Sequence, residues 1–357
     1  LYDPYHLQDF DRALSLIAPS TLGSAELQTG GFSAEHGDRM GVVLDLATRT
    51  PEDTRRFHVG LGVLNAQLGS SGKWRGWRGR IPEGEGEAEV VDAGGREGSW
   101  LFEARRGSID LVGRLLGRDN PRFSDGFVRF DQRFGQRHTL GARFVVASDT
   151  LALTERKIPE TDKRFQTEYA SSYGWLFHEA IVGSGPLLET AASWARIDRK
   201  RRGSDDDEDT TFGIDDRRHL RVVELRQRGD AQANSRHFLS WGVEGRRYLA
   251  DYDYRGVREF GNPLAKIRHD FGREATAFSA QLRERHEGAF FSDRWRGEGR
   301  LTAELGARVD SYTQTDETRI SPRLNLALAL GPSSLARLAW GRFEQSQRPN
   351  ELQVEDG

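Results

Sequence analysis

The stretch "LTAELGARVD", residues 301–310, decides the fold. Leu301, Ala303, Leu305, Ala307 and Val309 alternate with Thr302, Glu304, Gly306, Arg308 and Asp310. That period of two belongs to a β-strand, whose successive side chains point to opposite faces. The same grammar recurs on either side of it. "RLNLALALG" (323–331) sets Leu324, Leu326, Leu328 and Leu330 against Asn325 and two alanines, and "FLSWGVEGR" (238–246) sets Leu239, Trp241 and Val243 against Ser240, Gly242 and Glu244. "TLGARFVVA" (139–147) and "AFSAQLRER" (277–285) repeat it. From residue 54 onward about twelve such segments follow one another, separated by Gly, Pro, Asp and Ser clusters.

Alternation alone does not say which face is wet, because a soluble sandwich and an outer-membrane barrel share the period with opposite meanings. Length arbitrates. Many segments exceed the roughly 5–6 residues usual in soluble strands and cover the roughly 9–11 that a tilted strand needs to cross a bilayer. Mid-strand charges agree: an Arg facing mid-bilayer lipid costs about 2–4 kcal/mol. Arg143, Glu244, Arg283, Glu304 and Arg308 are therefore expected to face a wet lumen, with their apolar neighbours turned outward. Trp100, Tyr173, Trp175, Tyr248, Trp295 and Trp340, near strand ends, suit either interfacial aromatic girdles or ordinary sheet packing.

Composition closes other routes. Of 357 residues 36% are hydrophobic, 30% are charged and the mean hydropathy is −0.68, so no run approaches the roughly 18 apolar residues of a membrane helix. A net charge of −3 gives no global pull toward nucleic acid. The absence of cysteine removes disulfide scaffolds, thiolate metal sites and cysteine nucleophiles. The first residue is Leu1, with no signal-peptide pattern after it, and "ELQVEDG" at the end has no closing strand; the chain is expected to be a fragment.

Connections are expected to alternate in length. Short turns are expected at 134–138, 183–186, 228–234 and 331–334, and long loops at about 114–123, 151–163, 201–216, 251–270 and 313–319. Membrane barrels of this kind put short turns in the periplasm and long loops outside.

Residues 1–51 lack the long alternation, and a barrel of about 22 strands has a plugged lumen. "AELQTGGF" (25–32) followed by "SAEHGDRMGVVLDLATRT" (33–50) resembles the end of the plug of TonB-dependent outer-membrane receptors, with His36 where that family usually has tyrosine. "NPRFSDGF" (120–127), "LGARVDSY" (305–312), "ISPRLNLAL" (320–328) and "AWGRFEQSQRPNEL" (339–352) are similar to the family's barrel text. "YDPYHLQDF" (2–10) is similar to the plug of the subgroup with an upstream carboxypeptidase-regulatory-like domain.

The resemblance implies an all-β chain: an antiparallel transmembrane β-barrel, partial, with the C-terminal part of a plug domain. Residues 1–51 would be plug, and 52–357 the N-terminal portion of the barrel. Gly30, Gly31, Phe32, Ala34, Glu35, Gly37 and Arg39 carry the plug motif. Gly30, Gly31, Gly37 and Gly41 are expected to permit positive φ and close backbone approach. The resemblance also implies plug-to-barrel ion pairs, with Arg39 expected to meet Glu304 or Glu244; alternatively Glu35 and Arg39 bridge each other at a solvated turn.

The acidic run "DDDEDTTFGIDD" (205–216) places Asp205, Asp207, Asp209, Thr211 and Asp216 at calcium-loop positions, but lacks the central glycine, the closing glutamate and flanking helices. A solvated outer loop is the expectation, with a specific metal site or a divalent bridge to lipopolysaccharide as alternatives. "RKRR" (199–202) is placed at headgroup level, where it would meet lipid phosphates or serve as a charged loop base. No H-E-x-x-H, P-loop, G-x-S-x-G or dinucleotide fingerprint occurs, so no enzyme and no cofactor are expected.

The function implied is import: a TonB-dependent transporter of the outer membrane of a Gram-negative cell would capture a scarce siderophore, cobalamin, oligosaccharide or peptide and pass it to the periplasm. Its partners would be TonB, through an N-terminal segment outside this chain, outer-membrane lipid and lipopolysaccharide, and the nutrient, but not nucleic acid. Two other classes stay open, an adhesion or signalling barrel and a soluble all-β carbohydrate-binding protein.

Overall fold

The computed structural model describes residues 2, 4–6, 14–38, 40–75, 97–108, 121–157, 161–183, 185–207, 210–260 and 273–346. The dominant element is one antiparallel sheet of 13 strands in which neighbours in sequence are neighbours in space. Its strands are β5 (Arg56–Leu61), β6 (Asn65–Arg75), β7 (Glu97–Gly107), β8 (Arg122–Phe134), β9 (His138–Lys157), β10 (Thr161–Ile181), β11 (Leu187–Asp207), β12 (Thr210–Gln232), β13 (His237–Phe260), β14 (Arg273–Arg296), β15 (Leu301–Tyr312), β16 (Glu317–Gly331) and β17 (Ser334–Gly341). β5 and β17 form its edges. Before it come two small pairs, β1 (Tyr5–His6) with β2 (Leu14–Ser15) and β3 (Leu22–Gln28) with β4 (Val43–Thr48), joined by the 3₁₀ turn Pro19–Thr21.

β10 to β14 hold 21 to 24 residues each, about twice what a bilayer needs. This overturns several expected loops. Residues 151–157, 201–207, 210–216 and 251–260 are strand, because the ladder continues past the bilayer on cross-strand pairs such as Arg201↔Asp216 and Arg217↔Asp253. Most of 114–123 lies outside the described residues. The 313–319 connection shrinks to Thr313–Asp316, and the turn expected at 228–234 falls at 233–236 because β12 continues to Gln232. The turns at 135–137 and 332–333 lie within the expected short ones, and the turn at 182–186 begins one residue before the one expected at 183–186.

The two faces are inverted relative to a soluble sheet. Leu305 is 66% exposed while Arg308, three residues on, is 1% exposed. Val223, Leu225, Val243, Phe291, Ile320 and Leu338 line the same exposed outer wall. Arg143, Glu244, Glu304 and Arg308 share the inner face; Arg283 does not. Along β14 the buried positions are Glu284, His286, Gly288 and Phe290, so Arg283 points outward, while Phe278, Ala280 and Leu282 pack inward. Past the bilayer the outer wall meets water and the apolar side chains return to the inside.

That inner apolar cluster joins Leu16 to Val145, Ala147, Tyr173, Val222, Tyr248 and Tyr252. Tyr173 and Tyr248 are therefore core rather than girdle, and Trp175 stacks on Tyr173 on the same face. Trp340 is exposed on the outer wall, and Trp100 and Trp295 have outward parity.

Candidate functional site: the inner wall and the amino-terminal segment

The amino-terminal segment meets the inner face at Ser15, Phe32, Ser33, Glu35, Thr48 and Arg49, and the wall holds these residues mainly by their backbone. On β15, Arg308 donates from Nη1 to the Glu35 carbonyl at 3.1 Å, while Nε and Nη2 bind Asp310 at 2.8–2.9 Å and Nη2 also reaches Glu244. On β16, Arg323 donates to the carbonyls of Phe32 and Ser33 and lies 4.7 Å over the Phe343 ring. On β8, Arg129 donates to the carbonyls of Thr48 and Arg49 at 3.0 and 2.9 Å, and Arg105 on β7 donates to the Ser15 carbonyl at 2.9 Å. Charge-assisted bonds to carbonyls read no side chain. They fix the path of the segment.

The segment's small residues fit this wall. A β-carbon on Gly37 would lie 2.0 Å from Nε of Arg308, and one on Gly306 would lie 2.9 Å from Cβ of Ala34, which is itself 1% exposed. Gly31 takes φ +66°, and a β-carbon on it would lie 3.2 Å from Cβ of Ala339. Gly30, Gly37 and Gly41 do not have positive φ, and nothing lies within 4 Å of a β-carbon on Gly30 or Gly41. Positive φ falls instead on Asp38 (φ 54°), whose carboxylate accepts from the Ser346 amide at 2.7 Å and hydroxyl at 2.8 Å. Phe32 is buried edge-on against Phe343, ring centroids 5.6 Å apart.

Arg39 lies outside the described residues. Glu304 binds Arg294 on the adjoining strand at 2.9 Å, and Glu244 binds Arg308. The side-chain ion pairs between segment and wall run with the opposite polarity: Glu35 accepts from Arg228 of β12 at 2.8 Å, with Asp230 on the other side of that guanidinium at 2.9 Å, and Asp38 lies 3.8 Å from Arg246 of β13. Burial pushes the Glu35 carboxyl above its ordinary range, and Arg228 only partly opposes this.

A second link uses a residue that sequence reasoning passed over. His6 in β1 is fully buried between two wall carboxylates, Nδ1 to Asp149 at 2.6 Å and Nε2 to Asp125 at 3.0 Å. Arg105 also binds Asp125 at 3.0 Å. Burial pulls the imidazolium down, but the two carboxylates together outweigh it and hold His6 above its ordinary value. An imidazole that donates from both nitrogens is charged.

Glu244, His286 and Asp310 come close enough to suggest a cation site. The Arg308 guanidinium already bonds Glu244 and Asp310, so the positive charge is supplied by the protein. In the acidic run, Asp205 and Asp216 stand in the β11–β12 ladder opposite Phe212 and Arg201. Asp216 is 1% exposed and bound to Arg218 at 2.9 Å; Asp209 and the Asp207 side chain lie outside what is described. "RKRR" divides between faces: Arg199, over the Tyr169 ring, and Arg201, toward Asp216, both face inward, while Lys200 and Arg202 have outward parity.

A cavity of about 310 Å³ opens between segment and wall, lined by Tyr2, Glu35 and His36 on one side and by Trp175, Glu224 and Arg246 on the other.

The sequence matches the family model described as "TonB dependent receptor-like, beta-barrel" over residues 66–354. No curated protein matches it. Among solved structures, the outer membrane transporter YddB from Escherichia coli is similar at 12% identity and a TM-score of 0.57, over 92% of this chain and 48% of that one. FpvA of P. aeruginosa bound to heterologous pyoverdines is similar at 10% identity and a TM-score of 0.54, over 88% and 46%. The ferric citrate transporter FecA in its unliganded form is similar at 13% and a TM-score of 0.51, over 95% and 52%. The chain thus spans about half the length of each. At these identities the likeness concerns the fold, and the family match supplies the membership. With its lipid-facing outer wall and its polar, arginine-lined interior, the chain is an outer-membrane β-barrel protein and belongs to the TonB-dependent receptor β-barrel family.

Proposed function

We propose that residues 1–51 are the C-terminal part of a plug, and that the chain is part of a transporter that imports a scarce nutrient with energy transmitted by TonB. The observation that carries this reading is the backbone grip of Arg129, Arg308 and Arg323 on the amino-terminal segment. A stopper that must hold and then let go is well served by many modest bonds to carbonyls, each exchangeable for water, and by an acid, Glu35, whose burial outweighs the pull of its ion pair. FecA is a ferric citrate transporter and FpvA binds an iron pyoverdine, which makes a siderophore the first class to try, ahead of cobalamin, oligosaccharide and peptide.

The test uses the full-length receptor in cells. Because the chain has no cysteine, Ala34→Cys with Gly306→Cys introduces an isolated pair at a contact that needs about 1 Å of relaxation for a disulfide. Growth is followed on media limited in turn for iron, cobalamin, glycan and peptide. The expected result is growth that requires TonB, stops when the pair is oxidised and returns with reductant. Growth indifferent to TonB and to the cross-link would assign the barrel to adhesion or signalling.

A further inference from the structure

We propose that His138 and His178, on the outward face of β9 and β10, hold one borderline divalent transition ion of the Cu²⁺, Zn²⁺ or Ni²⁺ class. The pair lies outside the lumen, so the ion is a ligand of the wall rather than cargo, and the site goes beyond the transport reading without resting on it.

The ladder places the two side chains. In the β9–β10 register His138 faces Ala180 and His178 faces Leu140, so the histidines are diagonal neighbours on the face that exposes Leu140 and Leu176. Aromatic rings span that diagonal. Ala180 ends at its β-carbon and presents nothing to block the approach. Nδ1 of His138 and Nε2 of His178 stand 3.2 Å apart, with the rings within 6° of parallel. Two bonds of about 2.0–2.1 Å to one ion, at an angle of about 90–110°, put their nitrogens about 2.9–3.4 Å apart. The observed spacing falls inside that window. Seating an ion therefore asks for a tilt of one exposed and one half-buried ring, with no movement of the main chain.

The surroundings set this pair apart from the other histidines of the wall. His58, His219, His237 and His286 each meet a carboxylate, from Glu103, Asp198, Asp293 and Asp310 respectively. Among the described residues the side chains of His138 and His178 have no polar partner but each other. The neighbouring acids Glu179 and Glu189 have inward parity, and Glu189 is engaged with Arg226. Only the partner ring competes for each lone pair, and the neutral imidazole is the metal-binding form.

The donor set names the ion. Two ring nitrogens without a carboxylate suit Cu²⁺, Ni²⁺ and Zn²⁺ and disfavour Ca²⁺ and Mg²⁺, which take oxygen ligands. Water completes the coordination shell at so open a position. An exposed hydrogen bond between two imidazoles contributes little over bonds to water, whereas an ion held by both rings ties β9 to β10 at the end where both strands run into short turns, 135–137 and 182–186.

The experiment takes full-length receptor in detergent, without a histidine tag and stripped with chelator, and titrates it with Cu²⁺, Zn²⁺ and Ca²⁺. Wild type is compared with His138→Gln, with His178→Gln, with the double variant and with His237→Gln, which removes a wall histidine already committed to Asp293. Heat-modifiable migration on gels verifies that each variant is a folded barrel. The expected result is one Cu²⁺ equivalent in wild type and His237→Gln that the double variant lacks, with Zn²⁺ held less tightly than Cu²⁺ and Ca²⁺ uptake the same in all. Each single variant should bind at least about tenfold more weakly. Affinity should fall in acid, because protons compete for the same lone pairs. The electron-spin resonance of the Cu²⁺ lost in the double variant should show coupling to two imidazole nitrogens. Equal Cu²⁺ uptake by the folded double variant, a resonance without that two-nitrogen coupling, or an equal loss in His237→Gln would each overturn the proposal.

Discussion

Gly37 and Arg308 are two halves of one contact, since the space that a β-carbon on Gly37 would fill is occupied by the Arg308 guanidinium, 2.0 Å away at Nε. The rigid β15 strand and the bonds to Asp310 and Glu244 hold that guanidinium in place. Gly37→Ala is therefore expected to push the segment off its seat and weaken the Glu35 carbonyl bond. The loss is about 1–3 kcal/mol, the scale of overpacking. Gly30→Ala and Gly41→Ala, with open space and no positive φ, should stay within about 0.5 kcal/mol. Urea unfolding followed by proteolysis of the amino-terminal segment in the full-length receptor measures all three.

This contact also marks how far the sequence could be read. The alternation in "LTAELGARVD" was enough to orient Leu305 outward and Arg308 inward, because lipid and lumen impose opposite demands on adjacent residues. It could not say that Arg308 would grip the Glu35 carbonyl, 273 positions away, since partners across a barrel share no local signal. The same distance hid His6, a lone histidine whose two aspartates arrive from β8 and β9. Arg283 and the expected loops misled for another reason. Beyond the bilayer the outer wall is wet, so the lipid-facing rule that identifies a strand's faces no longer applies there, and polar residues form strand as readily as loop.

Glu35 and Arg228 should respond unequally to removal. Arg228→Ala leaves a mostly buried carboxylate beside Asp230 with its cation gone, and is expected to destabilise the segment by about 1–3 kcal/mol. Glu35→Gln removes a group whose pKa is raised in the folded state, so at neutral pH the change should be neutral or slightly stabilising. The sign follows from linkage: a raised acid favours the folded state at low pH and loses that advantage as pH rises through its folded value. A double-mutant cycle in the same proteolysis assay should recover most of the Arg228→Ala loss in Glu35→Gln/Arg228→Ala.

His6 predicts a pH dependence of its own. Its folded pKa is raised, so the stabilisation from the Asp125 and Asp149 clamp is complete below the unfolded value of about 6.5 and is lost as pH rises through the folded value. The protection of the Tyr5 and His6 amides, taken relative to the intrinsic base-catalysed exchange rate at each pH, should therefore fall on the alkaline side of about pH 6.5. His6→Gln should be less protected throughout, with a protection factor that does not change with pH, because an amide keeps some hydrogen bonding but carries no charge.

The outer wall offers a test in which the soluble and membrane readings of this sheet give opposite answers. Leu305 is 66% exposed on a face that also presents Val309, Leu328 and Ile320. On a soluble sheet, Leu305→Arg at so open a position would change stability by no more than about 0.5 kcal/mol and improve solubility. Against lipid the same substitution costs about 2–4 kcal/mol near the bilayer midplane, enough to shift assembly by one to three orders of magnitude. The fraction of full-length protein that becomes heat-modifiable in lipid vesicles should therefore fall sharply for Leu305→Arg. Thr302→Arg, on the polar inner face of the same strand, should assemble as wild type.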